Sequence, residues 1–412
     1  MIKPIVLVAI LATVPARADV IRDWTEIGLA SVANAKQQAF AQTRSMSMVH
    51  VAMFEAINGT DGPYRSYLQN LPGAPKAAAA SVAAGRAEDG RAARAAVAAH
   101  VVLAALFPEQ KGTLDAALEK SLAGLDAASR EAALAEGRTI GQAVISLRAN
   151  DGSSAPNTFR PVTTPGKYVP TALPVGSIWG AVKPWTMTKG DQFRPPAPPD
   201  LRSKEWAADL NEIAAVGGKT STTRTPQQTE AARFWTVVGP AAYVQVIHDL
   251  ASRPGRTLVQ NARLYALWSM AIADSYISVF NAKYTYLLWR PITAIRNADQ
   301  DDNPATTRDA AWEPLVETPL HPEYPCAHCI NSGAAQAVLE AEFGAGNIGP
   351  FRSTSSTAPG VTHTWEKLAD FQQEVSNARI WGGIHYRNST VVGTDMGRRI
   401  GKLVVASALQ PK

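Results

Sequence analysis

Residues 257–289 read TLVQNARLYALWSMAIADSYISVFNAKYTYLLW, and Pro291 follows almost directly. Apolar side chains recur at helical spacing along the whole stretch, so it predicts one long core helix stopped by the proline. The flanking chain has the same character. Phe40–Asn58 carries Met46, Met48, Val49, Val51, Ala52, Phe54 and Ile57 and ends at Asn58-Gly59, a helix stop. Ala77–Phe107 is Ala-rich and halts at Pro108, and Thr113–Ala149 continues as helix with a break near Gly124. Ser203–Val216, Pro226–Val238, Ala334–Phe343, Trp365–Ile380 and Val391–Leu409 resume helical spacing, while alternating strand-like runs are scarce. Dense prolines between Pro156 and Pro199 mark a long ordered loop or wrapping segment. The expected fold is all-α. Its parts are an N-terminal helical portion (19–150), a Pro-rich connecting segment (151–202) and a C-terminal helical domain (203–412).

Composition narrows the function classes. With 46% hydrophobic and 18% charged residues, the 412-residue chain can bury a substantial core. A net charge of +5 on so large a surface is too diffuse to argue for nucleic acid. Two cysteines exclude a disulfide scaffold and an all-cysteine zinc module. Lys3, the apolar run Ile5–Val14 and Ala16-Arg17-Ala18 spell a secretory signal over residues 1–18, with Asp19 as the mature N-terminus. The run is too short to span a bilayer, so the expectation is an exported protein, periplasmic or extracellular, with no membrane anchor after cleavage. Gly344-Ala-Gly-Asn-Ile-Gly349 has the spelling of a dinucleotide loop but follows a helix, which reads as a helix cap and turn.

Three short motifs carry the chemistry. Lys283 and Arg290 stand seven residues apart before Pro291, a spacing that on a helix returns to one face, and two cations on an apolar helix call for a shared anion. Pro325-Cys326-Ala327-His328 opens a helix, whose free N–H groups bind anions, with His328 in the first turn. Arg379 and His385 flank Gly382-Gly383, which can break a helix and turn the second group back toward the first. Taken singly, each motif has an ordinary explanation as snorkelling cations or a packed histidine.

In this order the three resemble the signature Lys-x6-Arg-Pro, Pro-Ser-Gly-His, Ser-Arg-x5-His. Type 2 phosphatidic-acid phosphatases, bacterial acid phosphatases and vanadium-dependent haloperoxidases share that signature. The resemblance spans roughly residues 203–405. Ala282-Lys283-Tyr284, His321-Pro-Glu-Tyr-Pro325 and Met48-Val-His50-Val-Ala-Met-Phe54 are most similar to an exported bacterial haloperoxidase-like branch. It implies helical bundles with an oxyanion cage in the core of the C-terminal bundle, where vanadate or phosphate sits. Lys283, Arg290 and Arg379 would neutralise its oxygens and the amide of Ala327 would donate to one. His385 would bond vanadium or become phosphohistidine, and His328 would be the acid–base group. The substrates implied are hydrogen peroxide and halide, with an organic acceptor, or else a phosphomonoester. A non-enzymatic oxyanion-binding protein is the third reading.

The chain departs from the pattern in several places. Cys326 and Ala327 stand for Ser and Gly, and Ala378 stands for the Ser before Arg379. Ser389 stands where an Asp often orients the axial histidine, which leaves that role unassigned. Phe280 replaces a Trp that chloroperoxidases place near the halide, whereas His321 matches a histidine of algal bromoperoxidases. Both are halide-pocket candidates. For Cys326-x2-Cys329 the order of expectation is free thiols in the anion pocket, then a disulfide, then a zinc site with His321 and His328.

Overall fold

The computed structural model describes residues 19–59, 61–69 and 88–412. The signal-like segment 1–18 and the expected helix start at Ala77 lie outside the described residues. The N-terminal portion folds as α1 (Val20–Asn34), α2 (Ala39–Asn58), α3 (Glu88–Leu106), α4 (Lys111–Ser121) and α5 (Ala127–Arg148). Gly124, at φ +81°, makes the break between α4 and α5 that a side chain would resist. Residues 151–202 contain no α-helix and run as an ordered wrap. Then come α6 (Lys204–Val216), α7 (Pro226–Phe234), α8 (Val244–Ala251), α9 (Leu258–Tyr286), α10 (Pro291–Arg296) and α11 (Ala327–Phe343). The antiparallel hairpin β1 (Asn347–Ser355) and β2 (Ala358–Lys367) precedes α12 (Leu368–Trp381) and α13 (Arg387–Ser407).

The architecture is all-α apart from that hairpin. Helix starts follow side-chain capping. Ser203 caps α6, while Thr225 and Thr257 form reciprocal capping boxes with Gln228 and Gln260 on α7 and α9. Helix α9 is buried on nearly every face and packs against α2, α11 and α13, as an all-round apolar helix must. One apolar core runs continuously from α1 to α13, and a smaller cluster gathers Trp206, Leu288, Trp289, Tyr324, Ile380 and Tyr386.

The hairpin and the helices α1 and α8 lie outside the expected elements, although both helices carry an apolar face. In β1 only Phe351, Ser353 and Ser355 point inward, so two of its three buried positions are serines and the apolar alternation is erased.

Candidate active site

The charged residues collect where the two apolar clusters adjoin. Lys283 lies in the last turn of α9, fully buried, and its Nζ donates to the carbonyls of Pro322 (2.9 Å) and Glu323 (2.6 Å). An ammonium has three protons, so one remains for a further acceptor. Arg290 is equally buried. Its Nε donates to the His321 carbonyl at 2.8 Å, Nη1 to the Ile384 carbonyl at 2.9 Å and Nη2 to His321 Nδ1 at 2.9 Å. Nη1 also stands 3.4 Å from His385 Nε2. A guanidinium only donates, so the lone pairs of His321 Nδ1 and His385 Nε2 face it.

The two cations meet by a route different from the expected one. Helix α9 ends at Tyr286, Leu287 turns left-handed at φ 57°, and Arg290 is extended at φ −78°, ψ 156°. Pro291 does not stop that helix but starts α10, because it has no N–H to satisfy and pushes its predecessor out of helical geometry. Lys283 and Arg290 therefore share no helical face; the chain folds back to join them.

Arg379 sits in the last turn of α12, donating through Nη1 to the carbonyl of Trp235, while its buried Nε has no partner. Gly383, at φ +79°, turns the chain so that His385 comes back toward Arg290. His385 Nδ1 is 2.7 Å from Glu323 Oε1. His328, in the first turn of α11, presents Nε2 to the Val237 carbonyl at 2.9 Å, which puts the proton on Nε2. The amides of Ala327 and His328 precede any intrahelical acceptor.

Cys326 caps α11 and is bonded to Cys329, with Cα atoms 5.3 Å apart. The expectation of free thiols is overturned. A three-residue step across the first helical turn brings two Cβ atoms within bridging range. Cys326 thus lines the turn with a sulfur that has no proton to donate, and it accepts the Cys329 N–H at 3.2 Å. Both sulfurs are used, so the zinc alternative falls too. Phe280 and His321 do come together, ring centroids 5.2 Å apart, beside Phe40 and Tyr284.

Burial sets the electrostatics. It pulls Arg290 and Arg379 down to about 10, which still leaves both charged near neutral pH. Lys283 is held well below its ordinary range by burial and then by Arg290. His385 is held far below 6.5 by burial, then by Arg290, Lys283 and Arg379, and His328 by burial and Arg379. Both imidazoles are thereby pushed toward the neutral form. Against these charges stands Glu323, pushed up to about 7 by burial while Lys283 and Arg290 favour its ionised form.

This donor set fits a tetrahedral or trigonal-bipyramidal oxyanion. The unpartnered Arg379 Nε, the third Lys283 proton and the first amides of α11 are donors awaiting acceptors. Among the described residues, Glu323 is the carboxylate that faces the basic side chains Lys283 and Arg290. Sequence reasoning missed Glu323, although a carboxylate between His321 and Pro325 in an apolar stretch was visible. The carbonyls of Trp235 and Val237, which hold Arg379 and His328, left no signal in the side chains.

Residues 263–411 match the model of the second helical-bundle domain of vanadium chloroperoxidase. Over that stretch the chain is similar to a vanadium-chloroperoxidase helical bundle. Among curated relatives, the vanadium chloroperoxidase of Curvularia inaequalis is 27% identical over 190 residues, 38% of this chain. That match spans 30% of the relative's length. A bacterial vanadium-dependent iodoperoxidase superposes with a TM-score of 0.79 at 24% identity, covering 95% of this chain and 96% of that one. A bacterial vanadium-dependent chloroperoxidase in its holo form superposes at 0.69 with 17% identity, covering 92% and 96%. These two likenesses establish a haloperoxidase-type fold along nearly the whole chain.

Proposed function

We propose that this protein is a vanadate-dependent haloperoxidase that oxidises halide with hydrogen peroxide to hypohalous acid. The observation that carries the reading is the buried His385, pushed toward its neutral form, whose Nε2 lone pair faces Arg290 inside a cluster completed by Lys283 and Arg379. A neutral imidazole ringed by cations is suited to bond the central atom of an oxyanion whose oxygens those cations neutralise. The bacterial haloperoxidases of like fold cover the N-terminal half as well, which favours this reading over a phosphatase.

In this reading Lys283, Arg290, Arg379 and the Ala327 amide hold vanadate, and His385 Nε2 is its protein ligand. Bound vanadate supplies a Lewis-acidic centre that makes peroxide oxygen open to attack by halide. His328 keeps Nε2–H on the Val237 carbonyl, which leaves Nδ1 to take a proton from incoming peroxide and return it to the product. Phe280 and His321 form the aromatic side of the site, where halide approaches. We also place the protein outside the cytoplasm. The signal-like residues 1–18 and the Cys326–Cys329 disulfide both support an oxidising compartment.

The test is peroxide-dependent oxidation of iodide, bromide and chloride, with and without added vanadate, beside hydrolysis of p-nitrophenyl phosphate. Vanadate-dependent halide oxidation is the expected result. Phosphate hydrolysis that vanadate only inhibits would assign the same cage to an acid phosphatase acting through phosphohistidine at His385. N-terminal sequencing of protein recovered from the periplasm should begin at Asp19.

A further inference from the structure

The carboxylate of Glu323 is fully buried, and it touches both a site histidine and the loop that receives the site cations. Its Oε1 accepts from His385 Nδ1 at 2.7 Å and from the Tyr386 amide at 3.1 Å. The backbone of the same residue accepts Lys283 Nζ at 2.6 Å and donates to the Leu288 carbonyl at 2.9 Å. Through His321 and Pro322 the same loop also receives Arg290 and a second bond from Lys283. One residue thus ties the histidine to the loop that gathers two of the three cations.

We propose that Glu323 is the positioning residue that fixes the orientation and tautomer of His385, from the loop before α11 rather than from α13. This rests on the reading of His385 as the oxyanion ligand. The bond geometry dictates the tautomer. An oxygen already accepting a backbone N–H has a lone pair for the ring, so the proton sits on Nδ1 and Nε2 is left with its lone pair. Arg290 Nη1, 3.4 Å from Nε2, requires the same assignment, since it can only donate. A carboxylate at this place also raises the electron density of the ring more than a backbone carbonyl would.

Position 389, on α13 just beyond His385, faces the same carboxylate. Ser389 is buried, and neither its hydroxyl nor Glu323 Oε2 completes a hydrogen bond of ordinary geometry. Ser389 acts on the Glu323 carboxyl in favour of its ionised form, which places the hydroxyl beside it. Two carboxylates there would repel, so the site accommodates one, from either position. An Asp at 389 should therefore replace Glu323 when Glu323 is truncated, and should do harm when Glu323 is present.

The experiment uses the full chain without vanadate, in four forms: wild type, Glu323→Gln, Glu323→Ala and Glu323→Ala/Ser389→Asp. Nitrogen-15 NMR of the histidine rings, with His385→Gln to assign the signal, reports the tautomer. Titration with inorganic phosphate and with vanadate reports anion affinity. Wild type and the double variant should show the Nδ1–H form. Glu323→Ala should show a mixture of tautomers and bind both anions at least tenfold more weakly, and Glu323→Gln should keep the tautomer through its carbonyl oxygen. Recovery of most of the lost affinity by Ser389→Asp is the decisive outcome. A Glu323→Ala protein with an unchanged His385 tautomer overturns the proposal, as does a double variant no better than Glu323→Ala. If His385→Gln leaves both anion affinities unchanged, the reading of His385 as ligand fails instead, independently of what Glu323 does to the ring.

Discussion

His328 and His385 are both buried and pushed toward the neutral form, yet each commits a different nitrogen. His385 gives Nδ1 to a carboxylate and aims Nε2 at Arg290, whereas His328 gives Nε2 to the Val237 carbonyl and keeps Nδ1. The first arrangement makes a ligand and the second a proton acceptor. His385→Ala should abolish vanadate binding and activity together. His328→Ala should leave vanadate affinity within a few-fold and cut turnover by ~10²–10⁴. Lys283→Ala should weaken vanadate and phosphate alike, because it removes a cation from a site whose other charges are already desolvated. Anion titrations and halide oxidation rates on the three variants check this; an His328→Ala protein that binds poorly but turns over normally at saturation would reverse the two roles. At this scale the sequence was informative wherever a side chain contacts the candidate anion site. Lys283, Arg290, Arg379, His328 and His385 could be named because their three motifs, in order, resemble a known signature. Glu323 stands in the stretch His321–Pro325, but its tie to a histidine 62 positions away leaves no trace in the local pattern. The disulfide ranks only second in the sequence, behind free thiols, because the choice depends on how the first turn of α11 is wound.

Between elements, the relation of α11 to α13 decides where the two histidines stand. Gly393, Gly397 and Gly401 recur every fourth residue on the α13 face that meets α11. A Cβ at Gly397 would lie 1.9 Å from the Ile330 carbonyl oxygen. Backbone leaves no room to adjust, so Gly397→Ala must push the helices apart. A loss of ~2–4 kcal/mol is expected from such overpacking, with phosphate affinity falling as His385 moves from His328. Urea unfolding and phosphate titration measure the two effects, and an alanine variant of native stability would show that the contact is looser than drawn. The hairpin offers a pH test. His363 stacks on Phe234 and presents Nδ1 to Glu374 at 2.6 Å, while Glu374 also accepts the Trp235 and Trp365 indoles. Burial alone would lower His363, but Glu374 and Glu230 outweigh it and raise the ring above 6.5. Burial alone would raise Glu374, but His363 and the indoles hold it below 4.5. The histidine contribution is complete below 6.5 and lost as pH climbs through the raised folded value. The glutamate contribution is complete above 4.5 and lost as pH drops through the lowered one. Thermal stability contributed by this pair should therefore be greatest between pH 4.5 and 6.5, and His363→Gln should flatten the alkaline side. A wild-type profile unchanged by His363→Gln would deny the pair that role. The core helices were readable from periodicity and caps, whereas this hairpin is held by serines and a polar hub that a hydrophobic pattern cannot register.

For the molecule as a whole, the question is what makes the N-terminal portion, the Pro-rich wrap and the C-terminal bundle one body. Proline density predicts that residues 151–202 lack helix, but not where they lie, because such a segment has no apolar period to orient it. The answer is a set of polar anchors on the core helices. Asp274, fully buried in the middle of α9, accepts the amides of Trp185 (2.7 Å), Thr186 (2.9 Å) and Met187 (3.3 Å) and the Thr186 hydroxyl (2.8 Å). The Trp185 indole then reaches Ser47 on α2 at 2.9 Å, so a single turn of the wrap joins both halves. Further along, Tyr168 and Trp289 exchange backbone bonds between the wrap and the chain just before Arg290, with Tyr168 N–H on the Leu287 carbonyl and Trp289 N–H on the Gly166 carbonyl. Asp274→Ala would strand three buried amides at once. At ~1–3 kcal/mol for each unsatisfied group, reduced where water enters, the expected loss is on the order of 3 kcal/mol. Asp274→Asn, which keeps one oxygen, should fall between the variant and wild type. Because the wrap is freed while the helices remain, limited proteolysis should cut between α5 and α6 well before global unfolding, with the far-ultraviolet circular dichroism unchanged at that point. Arg290 would lose the support of the neighbouring segment of the wrap, so anion affinity should weaken in the same order as protease resistance. If Asp274→Ala resists protease as wild type does, the wrap is held by its apolar contacts alone, and the coupling between the two halves must run directly through α2 and α9.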